Sequence, residues 1–137
     1  EALRAVPALK EHGVSVQHLH ISTLKPFTDP QVIESLKSSK YGVITMENHS
    51  VIGGLGSAVA DLIAEHGIGK KLIKIGLKDT YAHGASQKYL LHKYGMSARN
   101  LIEATEKLMD KNLQISEEEL SQTRVIDVHS TAKAEAL

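Results

Sequence analysis

Apolar positions along this chain switch repeatedly between helical and extended spacing. Ala2, Ala5, Val6 and Leu9 recur at helical intervals, and Gly13 stands where a left-handed residue would end that helix. Pro7 falls inside the stretch, so the helix is expected either to start near Val6 or to kink at the proline. From Val14 to Ser22 the composition is extended, and the apolar phase moves from Val14 and Val16 to Leu19 and Ile21, as in a buried parallel strand covered on both faces. Asp29 can cap a second helix that has Pro30 in its first position and runs to about Ser38. Tyr41–Met46 and Leu72–Leu77 read as two further short strands. Between them a glycine cluster leads into a helix with Leu55, Val59, Leu62, Ile63 and His66 on one stripe, ending at Gly67. Gln87 to Tyr94 is a short helix stopped by Gly95, and Ser97 caps another that carries Leu101, Ile102, Thr105, Leu108 and Met109 to about Asn112.

This alternation predicts an α/β fold, a three-layer sandwich in which right-handed crossovers cover both faces of a mostly parallel sheet. Three strands are few for such a sheet, and the chain opens on a helix as though the strand feeding it were missing. Residues 1–112 are expected to form this domain and residues 113–137 an unassigned extension. Within the extension Ser116 and Glu119 have capping-box spacing, Val125–Val128 could extend, and Ala132–Leu137 lacks a core face.

A length of 137 residues with 42% hydrophobic content fits one domain able to bury its own core. Sixteen Lys and Arg against sixteen Asp and Glu leave no net charge to attract nucleic acid. The absence of cysteine removes disulfides and thiolate chemistry and agrees with a cytoplasmic location. Val51–Ala60, ten residues without charge and with three glycines, is far shorter than the ~20 residues a bilayer-spanning helix needs, so no membrane partner is expected. With Glu1 in first place and no basic-then-apolar leader, the chain is expected to be a fragment.

Two features invite chemistry. Gly53, Gly54 and Gly56 sit between a strand and a helix, where backbone amides could receive an anion at the positive end of the helix dipole. Val59 stands where a dinucleotide fingerprint starting at Gly54 needs a third small residue, and Ser57-Ala58 replaces the Lys-Ser/Thr of a phosphate loop, so packing competes with binding here. Glu47 and His49 lie two residues apart beyond a strand end, close enough to exchange protons, but bonding to loop backbone or a neighbouring chain is the favoured reading. The eight histidines show no metal-ligand spacing, and Ser50, Ser57 and Ser86 lack a nucleophile elbow.

The run from Val43 to Val59, with Glu47-Asn48-His49-Ser50 followed by Gly53-Gly54-Leu55-Gly56-Ser57-Ala58, resembles the C-terminal domain of transketolases. Leu24-Lys25-Pro26 is similar to that family's Ile-Lys-Pro turn, and Leu91–Asn100 to its leucine-rich helix, Tyr-Gly turn and following segment. Phe27, Thr28, Met46, Asn48 and Pro7 depart from the pattern, as does the absence of the opening strand and Ala-x-Gly-Ser-like turn. The resemblance implies a two-carbon ketol transferase of the pentose phosphate pathway that uses thiamine diphosphate and a divalent cation such as Mg. It places the diphosphate, the metal and the activating glutamate on other domains, so it assigns this chain no catalytic, cofactor-binding or metal residue. The implied role is assembly with the remaining transketolase domains or subunits in a homo-oligomer, inactive alone, with Glu47, His49, Gly53, Gly54 and Gly56 as an interface or anion-binding loop. Deoxyxylulose-phosphate synthases carry a related domain. The alternatives are the equivalent domain of a 2-oxo acid dehydrogenase beta subunit and a free-standing phosphate or nucleotide module.

Overall fold

A computed structural model describes residues 1–122. The elements run α1 (Ala2–Glu11), α2 (Pro30–Ser38), β1 (Val43–Ser50), α3 (Leu55–Glu65), β2 (Leu72–Leu77), α4 (Gln87–Lys93), α5 (Ala98–Met109) and α6 (Glu117–Gln122). β1 and β2 pair in parallel, Val43 opposite Leu72 through Met46 opposite Ile75, with an irregularity before Ser50 meets Leu77. Strand residues alternate between two cores. Ile44, Met46, Ile73 and Ile75 pack with α1, α5 and α6, whereas Val43 and Leu72 pack with α2 and α3. The expected three layers are therefore present, with the sheet between two helical faces.

Local chemistry explains most of the boundaries. Asp29 Oδ1 accepts from the Gln31 amide at 2.9 Å, and Pro30 occupies the first turn of α2. Gly13, at φ +75°, lets its own amide reach Lys10 O and the Val14 amide reach Leu9 O, closing α1 with a left-handed cap; Gly67 repeats the device after α3. α1 starts at Ala2, so Pro7 lies inside it rather than at its first position. The proline is exposed, opposite the buried Ala5, Ala8 and Leu9, where water can satisfy the carbonyl it leaves free. α5 ends at Met109, three residues before Asn112, because Asp110 takes the left-handed conformation at φ +52°.

Two strand expectations need correction. Val14–Ser22 is not a paired strand: from Ser15 to Phe27 no backbone group has a hydrogen-bond partner among the described residues. Its side chains nevertheless obey the two-faced pattern, Val14 and Val16 entering the first core and Leu19 and Ile21 the second. Apolar phase thus placed the segment in the sheet layer, but a strand also needs a neighbour to receive its ladder. β1 is longer than its apolar run and continues to Ser50, so Glu47 and His49 belong to the strand instead of following it.

The tail begins as the Ser116–Glu119 spacing predicts. Glu119 Oε2 accepts from the Ser116 amide at 2.6 Å, and Ser116 Oγ accepts from the Glu119 amide at 3.2 Å. Ile115 and Leu120 are buried in the first core, and Arg99 holds the approach to α6 through Glu117 Oε1 and Ile115 O. Val125–Val128 and Ala132–Leu137 lie outside the described residues. The Ser116 amide, His12 at 3.0 Å and the Ser116 hydroxyl hold the Glu119 carboxyl down at about 2, from an ordinary 4.5. Because the folded value is the lower one, this cap stabilises the fold above pH 4.5, and its contribution fades as pH falls from 4.5 toward 2. Urea titrations of the native chain and Glu119→Gln should therefore differ near neutrality and converge toward pH 2; a constant gap would show that the cap charge is not the cause.

Candidate functional site

The glycine turn sits where β1 hands the chain to α3. Thr45 and Glu47, two residues apart on β1, both reach the start of this helix. Glu47 spans it with both oxygens: Oε2 accepts from the Leu55 amide at 2.7 Å and Oε1 from the Gly56 amide at 2.9 Å. A carboxylate at the positive end of a helix dipole, receiving the first two orphan amides, is a strong cap. The protein's own side chain therefore occupies the place where an external anion would bind those amides.

Each glycine answers a different demand. Gly53 has φ +77° and open space around its α-carbon, and its amide donates to Ser57 Oγ at 2.9 Å. Gly54 is crowded: a Cβ there would collide with the Glu47 carboxylate and come within 2.9 Å of Ser50 O. At Gly56 a Cβ would lie 2.8 Å from Lys74 Cδ and 2.9 Å from Thr45 Oγ1. Gly54 and Gly56 thus permit close helix–sheet contact.

His49 turns elsewhere, its exposed ring donating through Nδ1 to Ser50 O at 2.9 Å. Glu47 and His49 each bond backbone, so the structure joins Glu47, Gly54 and Gly56 in one cluster and leaves His49 outside it. Sequence reasoning missed Thr45, Ser57 and Lys74. Thr45 and Lys74 are register partners under the start of α3, and Lys74 Nζ lies 3.5 Å from Ser57 Oγ. The Thr45 hydroxyl is buried without a partner among the described residues. The two-residue step from Glu47 to Thr45 signalled its face; the Lys74 pairing depends on a register that sequence does not disclose.

Among the described residues no group of three or more His, Cys, Asp or Glu is arranged to hold a metal ion. None of their helices is long and apolar enough to cross a membrane.

Residues 1–101 match the family model described as transketolase, C-terminal domain. A putative transketolase C-terminal section from Methanocaldococcus jannaschii is 43% identical over 101 residues, which cover 74% of this chain and 31% of that protein. The 6-deoxy-6-sulfo-D-fructose transketolase subunit SqwH of Clostridium sp. (strain MSTE9) is 33% identical over 111 residues, 81% of this chain and 34% of that one. A 1-deoxy-D-xylulose-5-phosphate synthase from Acinetobacter baumannii is 32% identical over 106 residues, 77% of this chain and 16% of its own length. Among solved structures, a chain titled "Split gene transketolase, inactive beta4 tetramer" superposes with a TM-score of 0.69 at 33% identity, over 80% of this chain and 36% of that one. This chain thus spans about a third or less of the proteins it resembles. A matched model over most of its length, together with a fold and glycine turn that agree with it, makes this chain a member of the transketolase C-terminal domain family.

Proposed function

We propose that this chain is the C-terminal section of a thiamine-diphosphate-dependent transketolase, a cytoplasmic enzyme of the pentose phosphate pathway that moves two-carbon ketol units between sugar phosphates. The section holds the assembly together and is inactive alone. One observation carries the reading: the helix terminus best suited to a phosphate is already filled by Glu47, which receives the Leu55 and Gly56 amides. The same observation weighs against a free-standing nucleotide or phosphate module. Neither the diphosphate nor its Mg ion fits the described residues, since those amides are taken and no metal-ligand cluster accompanies them. In this reading the companions of this chain supply the cofactor site. The relatives named as a section or a subunit, and the neighbour titled a beta4 tetramer, favour partners on other polypeptides and self-association.

A second reading concerns the sheet. The backbone of 15–27, unpaired among the described residues and placed in the sheet layer by its side chains, has donors and acceptors for a further strand. We infer that this layer is completed by another segment, with Val125–Val128 the candidate within this chain, or by association through that edge.

The purified 137-residue protein tests the first reading. Given xylulose 5-phosphate, ribose 5-phosphate, thiamine diphosphate and Mg, it should show no turnover, and calorimetric titration with thiamine diphosphate or NAD should give no saturable heat. Turnover, or tight nucleotide binding, would overturn it. Light scattering of the same preparation and of a version ending at Gln122 addresses the second: both monomeric, with equal stability, would count against the recruited strand.

A further inference from the structure

Among the described residues β2 pairs with β1 and with no other strand, so its second edge is open. The Val43 amide donates to Lys71 O at 2.8 Å and the Val51 amide to Leu77 O at 2.9 Å. Residues of a paired strand turn their amides and carbonyls to alternate sides, so Lys71, Ile73, Ile75 and Leu77 serve β1. Leu72, Lys74 and Gly76 face outward, with donors and acceptors that a further strand can take up.

A groove of about 440 Å³ follows this edge, with Ile73–Gly76 along one side and α5 along the other. α5 lines it with Asn100, Glu103, Ala104 and Lys107, which share one face of the helix, and the small Ala104 side chain leaves the middle roomy. Cations stand at both ends. Lys78 and Lys93 lie where β2 finishes, while Lys107 is in the last turn of α5, beside the start of the sheet, where Leu108 approaches Gly42. None of these three has a carboxylate in ion-pair range among the described residues. Lys74 also lines the groove, but its Nζ lies 3.5 Å from Ser57 Oγ, under α3. The acid in the lining is Glu103, which accepts from Asn100 Nδ2 at 3.2 Å; Asp79 follows Lys78 outside the lining.

Charge decides which kind of strand fits. Pairing with the same edge of a second copy would set Lys71, Lys74 and Lys78 against their counterparts, the way lysine commonly blunts an edge. An acidic strand meets the opposite sign at each end.

We propose that the open edge of β2 binds an extended acidic peptide as an added strand. Its main chain bonds Lys74 and Gly76, an apolar side chain lies over Ala104, and carboxylates reach Lys107 at one end and Lys78 with Lys93 at the other. Because alternate residues of a strand share a face, the recognised pattern is acid-x-apolar-x-acid. β2 separates this groove from β1 and its Glu47 cap, and binding here does not depend on the function proposed above.

The probe is a dye-labelled peptide, Thr-Glu-Thr-Val-Thr-Glu-Thr, titrated into the 137-residue chain and read by fluorescence anisotropy. It should bind saturably, and the version with lysine in place of both glutamates should not. The Lys78→Glu/Lys107→Glu variant should weaken binding about tenfold or more, whereas Lys37→Glu on α2 should leave it within about twofold. All three lysines are exposed, and urea midpoints matching the native chain exclude misfolding as the cause. Hydrogen exchange reads the main-chain bonds separately: saturating peptide should slow the Lys74 and Gly76 amides about tenfold or more and leave those of Ile73 and Ile75, already bonded to β1, little changed. Absence of saturable binding, equal binding of the lysine peptide, or binding that leaves Lys74 and Gly76 exchange unchanged would overturn the proposal. Displacement of the peptide by an equal concentration of inorganic phosphate would do the same, by marking a site for ions. So would full protection of Lys74 and Gly76 in the free chain, which would give the edge to the chain's own tail or to a second copy.

Discussion

Gly54→Ala should cost about 3 kcal/mol of stability, at the upper end of what forcing an extra methyl into a tight contact does. Backbone strain is not the reason, because Gly54 sits at φ −99°, which alanine adopts freely. The cost arises because the new Cβ would occupy the space of the Glu47 carboxylate, with Ser50 O close behind it. Displacing Glu47 also strips the Leu55 and Gly56 amides of their acceptor. Gly53→Ala provides the contrast: its site is open but its φ is +77°, so the expected loss is only the ~1 kcal/mol of a left-handed alanine. Urea unfolding of both variants, with Glu47→Ala and the Glu47→Ala/Gly54→Ala pair, completes a double-mutant cycle. The double variant should be clearly less unstable than the sum of the singles, since removing the carboxylate removes both the clash and the bond that the clash breaks. Strict additivity would show that Glu47 is not what Gly54 accommodates.

Helix ends were legible in the sequence because they depend on short-range chemistry. Asp29 with Pro30, Gly13, Gly67, and Ser116 with Glu119 each satisfy backbone groups within a few residues, and each sits where its type predicts. The two-faced burial of Val14, Val16, Leu19 and Ile21 was also visible, since apolar phase reports which cores a segment touches. Pairing was not visible, because a ladder depends on a neighbour far along the chain or on another chain. The same distinction governs the site. Glu47 and the glycines were picked out by position, but the carboxylate reaches amides eight and nine residues ahead, and only the turn of the backbone between them shows that it caps α3 instead of facing His49. Lys74 beneath Gly56 needed the β1–β2 register.

Leu120→Ala tests whether the folded unit extends past Asn112. Leu120 is 2% exposed and lies in the core formed by Ala5, Ala8, Leu9, Leu101 and Ile102, although α6 itself has only six residues. A helix this short has no stability of its own, so what holds α6 is Leu120 and Ile115 in the core, with Arg99 and His12 gripping its acidic side. The ion pairs are largely solvent-facing and contribute little; the buried leucine dominates. Truncating it should cost about 2 to 4 kcal/mol, in the range of buried Leu→Ala changes, and Ile102→Ala, fully enclosed on α5, should cost about as much. If residues beyond Asn112 were an appendage, Leu120→Ala would leave the global urea midpoint unmoved and only raise hydrogen exchange within α6. A single transition shifted to the same extent as in Ile102→Ala would instead make α6 part of the cooperative unit, with the domain closing at the tail rather than before it.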